Sequence, residues 1–310
     1  MPLQVVVGAG PTGVATATLL AERGDQVRLV SRSGTSSPVQ GVEAVAADAT
    51  DSKQVAELAR GAQTLFNCAM PRYDSWPQLF PPINNALLSA AAEVGSDYVL
   101  VGNAYGYPPA TGPITESMPL APTTRKGRVR AQMWEEALGA HQAGRVRVTE
   151  LRSSDYVGAG AISIFTLTAA PQILQGETAT IPMELDVAHT WTTTDDVARA
   201  LVAITENDIS WGRAWHTPAV APLSVRELSA RFATVAGVEG YGLVSMSLEM
   251  LEEIGRSDSI VAELVEMSYL HRRPFVLDST ETEAVFGIRP GDFDESLRAM
   301  ADQLSTVVAS

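Results

Sequence analysis

Residues 5–13 read Val5-Val6-Val7-Gly8-Ala9-Gly10-Pro11-Thr12-Gly13: an apolar β-branched run meets three glycines at G-x-G-x-x-G spacing. A stretch rich in Ala, Thr and Leu follows, so the pattern is strand, tight turn, helix. Each glycine has its own task. Gly8 permits the sharp turn, Gly10 lets a pyrophosphate approach the backbone, and Gly13 lets the helix sit close to the strand. Pro11 and Thr12 open the helix, whose free first-turn amides then face the phosphates. The stretch predicts a dinucleotide site.

Working outward, short β-rich runs at 3–7, 26–30, 42–46, 64–66, 98–101 and 146–151 alternate with helical patterns near 12–23, 51–60, 83–94 and 126–143. Such alternation predicts βαβ units and a doubly wound α/β fold, a parallel Rossmann sheet covered on both faces. Residues 107–124 carry five prolines and read as a long irregular loop. Further on, helices are expected near 163–174, 194–206, 224–236, 247–253 and 292–305, with a strand at 178–181. We expect a cofactor domain over 1–160, rejoined by a segment near 182–215, and a smaller helix-rich substrate lobe over 161–310.

About 20 residues past the glycines, an NAD site places Asp or Glu at the end of the second strand to bind the ribose 2′-hydroxyl. This chain has Ser31-Arg32-Ser33. A guanidinium pairs bidentately with a 2′-phosphate and stacks on adenine, so the expected cofactor is NADP. A surface arginine past a strand end is the plainer alternative. Asp48 is placed to accept from the adenine amino group, or to cap the helix starting near residue 51.

Composition narrows the function classes. A net charge of −14, with no basic run interleaved with aromatics, argues against nucleic acid. Cys68 is the lone cysteine, which excludes an intrachain disulfide, and Met1-Pro2-Leu3-Gln4 is not the start of a secretory signal. No run approaches the length of a membrane span. The expectation is a soluble, cytoplasmic protein without membrane partners. His141, His189, His216 and His271 show no pair at metal-ligand spacing, so no metal is expected. Gly-x-Ser-x-Gly does not occur, which leaves serine-hydrolase chemistry without support.

Several further motifs accompany the glycine loop: Asp48-Ala49, Asn67-Cys68-Ala69, Ala104-Tyr105-Gly106, Pro113-Ile114-Thr115-Glu116, the run LRSSDYVGAG at 151–160 and TTTDDVARA at 192–200. Together they resemble the atypical and extended, epimerase/dehydratase-like short-chain dehydrogenase/reductase superfamily. The resemblance implies cofactor contacts at Gly8, Gly10, Pro11, Thr12, Gly13, Ser31, Arg32, Asp48, Ala49, Cys68, Ala69, Met70 and Ser153. It also implies a homodimer as a superfamily habit.

That superfamily works through Tyr-x-x-x-Lys with an assisting Ser or Thr. Laid over this chain, the pair falls on Lys126 and Arg130, in Lys126-Gly127-Arg128-Val129-Arg130, and the hydroxyl position reads Val101-Gly102-Asn103. The usual proton relay is absent. One reading makes Lys126 the acid/base, its pKa lowered by desolvation and by Arg125 and Arg130; isoflavone reductase-like members are similar in this K-x-x-x-R run. The other has Lys126 and Arg130 grip the cofactor, or stand as a basic helix start that calls for an anion nearby. Asn103 and Tyr105 are further catalytic candidates, against roles in loop support and core packing.

On the substrate side, Tyr73, Trp76, Tyr107, Asp155 and Tyr156 are expected to line a pocket for an aromatic or polycyclic ligand, with Arg72 near a negative group. Trp76 as a staple for its loop is the competing role. His271-Arg272-Arg273 is a basic cluster that meets a phosphate or pairs with surface carboxylates. The leading expectation is an NADP-dependent oxidoreductase acting on a small molecule. An NADP-reading sensor, and an epimerase, dehydratase or cyclase that retains its cofactor, are the alternatives.

Overall fold

The computed structural model describes residues 1–35 and 39–308. Strands β1 (Leu3–Val7), β2 (Gln26–Ser31), β3 (Val42–Ala46), β4 (Ala62–Asn67) and β5 (Asp97–Asn103) appear where the sequence places them, some longer by a few residues, and β6 (Val148–Ser153) lies two residues later than expected. Short strands β7 (Asp155–Val157), β8 (Thr178–Ile181), β9 (Trp191–Thr193), β10 (Ala214–His216) and β11 (Gly242–Ser245) follow. Among the described residues, one seven-stranded sheet has the order β10-β6-β5-β4-β1-β2-β3, every pair parallel. Strand pairs β7–β9 and β8–β11 stand apart from it.

The helices are α1 (Pro11–Glu22), α2 (Ser52–Ala59), α3 (Trp76–Val94), α4 (Arg125–Gln142), α5 (Ala170–Leu174), α6 (Thr194–Thr205), α7 (Val225–Ala236), α8 (Leu248–Gly255), α9 (Ser259–Met267), α10 (Thr280–Phe286) and α11 (Phe293–Val308). Val5, Val7, Leu65, Leu100 and Val148 face a core with α2, α3 and α4. Val6, Phe66, Val99 and Leu151 face the other side, against Ala17 and Leu20 of α1 and Val197 and Leu201 of α6. This two-sided burial is why the strands read as continuous apolar runs rather than alternating ones.

Helix α3 corrects one expectation. It begins at Trp76 rather than near residue 83 and holds Pro81 and Pro82 in its second turn. Each proline removes one backbone donor. Burial of Trp76, Phe80, Ile83 and Leu87 on one face outweighs that loss. Residues 107–124 form the irregular loop expected, tied to the C-terminal part by pairing of Ile114 with Leu277.

The order of strands reverses between β1 and β4, and the chain is tightest there. Gly8 has φ +114, and a Cβ on it would fall inside the Cys68 carbonyl at the end of β4. A Cβ on Gly13 would fall inside the Gly8 carbonyl, whereas one on Gly10 meets nothing within 4 Å. Gly13→Ala is therefore expected to cost about 2–4 kcal/mol of stability and Gly10→Ala less than about 1 kcal/mol, measured by chemical denaturation. Equal costs would contradict this packing.

Candidate functional site

Helix α4 starts with Arg125, Lys126, Arg128 and Arg130, the wrong sign for a helix N-terminus. Thr124 caps it by accepting from the Gly127 amide at 3.0 Å. A Cβ on Gly127 would fall inside the Tyr105 carbonyl, so the helix presses directly on the turn after β5. The compensating anions come from α9. Glu266 accepts from the Arg125 amide, and Glu263 takes Arg125 at 2.9 Å and Lys126 at 2.6 Å. Ser259, at the start of α9, also donates to Asp74 at 2.7 Å.

Lys126 is 0% exposed. Its ammonium donates to Glu263 and, at 2.5 Å, to the Tyr73 carbonyl, and it lies 4.2 Å from the centre of the Tyr73 ring. Arg130, one turn on, is buried against Trp76 and Phe80, donates to the Val101 carbonyl at 3.3 Å, and leaves Nε without a partner. Burial opposes its charge while Glu150 favours it. Gly102 makes the room for that Glu150 carboxylate, which pairs with Arg152 at 2.6 Å.

The predicted aromatic wall divides. Tyr73 and Tyr105 meet hydroxyl to hydroxyl at 3.4 Å and are only partly covered. Trp76 is 2% exposed beneath them, stacked on Tyr105 at 5.7 Å, so it backs the wall rather than facing a ligand. Tyr107 is removed from the site: its hydroxyl meets His216 at 2.8 Å and Arg152 at 2.7 Å in the interior. The loop's prolines gave no hint of that inward turn. Asn103 accepts from the Tyr105 amide at 3.2 Å, which is loop support. Tyr156 stands among Ser153, Arg130, Cys68 and Thr12, at the glycine crevice. Ser153 itself is buried, 2.8 Å from the Thr217 hydroxyl. Arg72 pairs with Asp74.

At the crevice mouth, Ala69 and the exposed Met70 follow β4, and burial pushes the Cys68 thiol up to about 12. Arg32 is exposed past β2 with no ion-pair partner among the described residues, near enough to Asp48 to favour its carboxylate. Asp51, not Asp48, caps α2. The Asp48 side chain instead holds Thr50 through its amide and hydroxyl, and Ala49 is half-buried between them. Open Gly10, the α1 amides and Arg32 are thus the groups able to hold a phosphorylated dinucleotide.

Sequence spacing missed one constellation. Asp155 Oδ2 lies 2.9 Å from Nε2 of His271 and 2.9 Å from Nε2 of His189. These residues come from three separated segments, beyond any local pattern. Within the basic cluster, His271 meets Asp155 and Arg272 pairs with Glu184. A hollow of about 610 Å³ lined by Gln63, Asp97, His141 and Arg147 opens at the amino edge of the strands, the wrong edge for a ligand of this sheet.

The glycine crevice and the sheet order coincide with a family pattern: the NAD dependent epimerase/dehydratase family model matches residues 5–214. The chain belongs to that family. No curated protein sequence matches it. Among solved structures, this family member is similar to MoeE5 in complex with UDP-glucose and NAD, at 20% identity and TM-score 0.78 over 100% of both chains. It is also similar to DesIV, a dTDP-glucose 4,6-dehydratase from Streptomyces venezuelae with NAD and TYD bound, at 20% identity and TM-score 0.77 over 99% and 97% of the two chains. UDP-glucuronic acid 4-epimerase from Bacillus cereus gives 14% identity and TM-score 0.79 over 98% and 99%. At such identities the likeness is one of fold. No described helix is long and apolar enough to cross a membrane.

Breaking a buried ion pair strands the partner charge. Glu263→Ala is expected to destabilise the protein by roughly 2–4 kcal/mol, and a double-mutant cycle with Lys126→Met should show coupling above about 1 kcal/mol. Additive losses would mean the pair is idle. In the same protein, Cys68 at pH 8 should be only about one part in ten thousand thiolate, so a thiol reagent should label it only after denaturation.

Burial holds His216 down at about 4, below its unfolded value. The unfolded chain then binds the extra proton first, so stability is full above about pH 6.5 and falls as pH drops toward 4. His216→Gln should flatten that part of the acid-denaturation curve.

Proposed function

We propose that this family member is an NADP-dependent oxidoreductase of atypical short-chain type, moving hydride between the nicotinamide and a small organic substrate. Residues 1–160, with the segment near 182–215, hold the cofactor in this reading, and residues 161–310 supply most of the substrate lobe. The observation that carries it is the contrast among the glycines: two are closed by backbone, and the one between them is open, with Arg32 exposed at the end of the next strand and without an ion-pair partner among the described residues. A cradle with that opening suits a pyrophosphate, and an exposed guanidinium suits a 2′-phosphate.

The bound nicotinamide would supply the hydride. Tyr73 and Tyr105 then offer hydroxyls to the substrate. The buried Lys126 ammonium supplies the cation and proton in place of the missing phenol, with Arg130 as the fixed charge behind it. Glu263 and the Tyr73 carbonyl take two of the three N–H groups of Lys126. Helix α9 therefore has to shift before a substrate oxygen reaches the amine. Asp155, met by His189 and His271, adds a carboxylate on the substrate side.

Calorimetry on the ligand-stripped protein should give NADPH affinity at least about tenfold above NADH, with Arg32→Ala erasing the difference. No heat with either nucleotide would end this reading. Lys126→Ala should lower turnover by about 10²-fold or more with NADPH affinity within about threefold. Lost affinity with no turnover to lose would instead favour an NADP sensor.

A second reading, an epimerase or dehydratase that keeps its cofactor, is favoured by the family itself and by the full-length likeness to a dehydratase and an epimerase. Net consumption of one NADPH per product would exclude it.

A further inference from the structure

We propose that Asp155, His189 and His271 form a binding site for a divalent transition-metal ion of the zinc type on the substrate side of the fold. Asp155 stands two residues past the end of β6, whose last residue, Ser153, lies in register with Asn103 at the end of β5. The cluster therefore sits at the carboxyl edge of the sheet, the edge that carries ligands in this architecture. Burial first, and the Asp155 carboxylate as a lesser cause, oppose ionisation of both Tyr73 and Tyr105, so Asp155 is within electrostatic reach of that wall.

The three donor atoms converge. One donor atom from each of Asp155, His189 and His271 lies within 4.8 Å of the other two, and Oδ2 of Asp155 is 2.9 Å from Nε2 of each ring. Donors bound at about 2.0–2.1 Å to one tetrahedral ion stand roughly 3.3 Å apart, so small adjustments suffice. Two imidazoles and one carboxylate make a ligand set that suits zinc and its neighbours and disfavours magnesium or calcium.

Hydrogen bonding alone uses the cluster poorly. Both rings crowd the same carboxylate oxygen, and Nδ1 of His189 is buried without a partner. With an ion at the meeting point, all three converging atoms are used at once. Nδ1 of His189 then carries the proton, and the penalty for that unpaired N–H is small beside dication binding by three ligands. The rings are held rather than loose: His189 packs on Trp191 and Phe275, with centroids 4.7 and 5.5 Å away.

Exposure supplies the open coordination position. The rings are 1% and 3% exposed, whereas the Asp155 side chain is 19% exposed. Three protein ligands with one open position is the pattern of a reactive rather than a structural zinc. An ion there would polarise a substrate oxygen, which is the task the missing tyrosine leaves unfilled. That consequence rests on the redox reading above; the binding does not.

The test is titration of chelator-treated, full-length protein with Co²⁺, whose visible d–d absorption reports the ligand field. One equivalent should bind with the intensity of a four- or five-coordinate site and be displaced by Zn²⁺. His189→Gln, His271→Gln and Asp155→Asn should each weaken binding at least tenfold, while His141→Gln leaves it unchanged. Circular dichroism establishes that each variant is folded; should one fail to fold, the other two decide. Absence of stoichiometric Co²⁺ binding to wild type would overturn the proposal, as would wild-type binding by the folded variants. NADPH calorimetry on the same samples separates the outcomes: failure of the metal site leaves nucleotide affinity intact, and failure of the nucleotide site leaves the Co²⁺ spectrum intact.

Discussion

Everything near the site depends on how closely the first turn of the chain approaches the end of the fourth strand. Gly8 and Gly13 have no room for a side chain, because the Cys68 and Gly8 carbonyls occupy it. That contact sets the distance between β1 and β4, where the strand order reverses and a crevice has to form. It also aims the first turn of α1 into the crevice. Loosening it by a methyl group would move the helix start, and with it the amides that make the cradle.

A second constraint is electrostatic. Several cations at the start of a helix oppose its dipole. Its partner is another helix more than a hundred residues away, whose Glu263 and Glu266 meet Arg125 and Lys126. The same pairing covers Lys126, so stabilisation of the helix and access to the amine are opposed. Helix α9 is otherwise thinly buried, with Ile260 exposed and Met267 the one residue along it that is fully covered. Polar contacts, rather than a core, hold it in place.

The substrate side combines these two constraints with a third, the burial of charge. Arg130, Glu150 and Arg152 run through the interior beneath the site. Buried charges of this kind are tolerated only when paired, and Gly102 exists in β5 to admit one of them. Asp155 ends this series at the carboxyl edge of the sheet, where two histidines meet its carboxylate.

What the sequence determined by itself was the sheet, the glycine cradle and the family. These are local: strand runs, turn glycines and a helix start follow one another within a few residues, and backbone geometry alone gives them meaning. The prolines in α3 misled, because propensity weighs less than the burial of Trp76 and Phe80. Only tertiary structure decided which side chains face the site. Tyr107 turned inward to His216, Tyr156 moved into the glycine crevice, and Trp76 sank beneath Tyr73 and Tyr105. The fate of Lys126 was set by Glu263, and Asp155 acquired His189 and His271. Each of those partners lies far along the chain, and no spacing rule reaches across a fold.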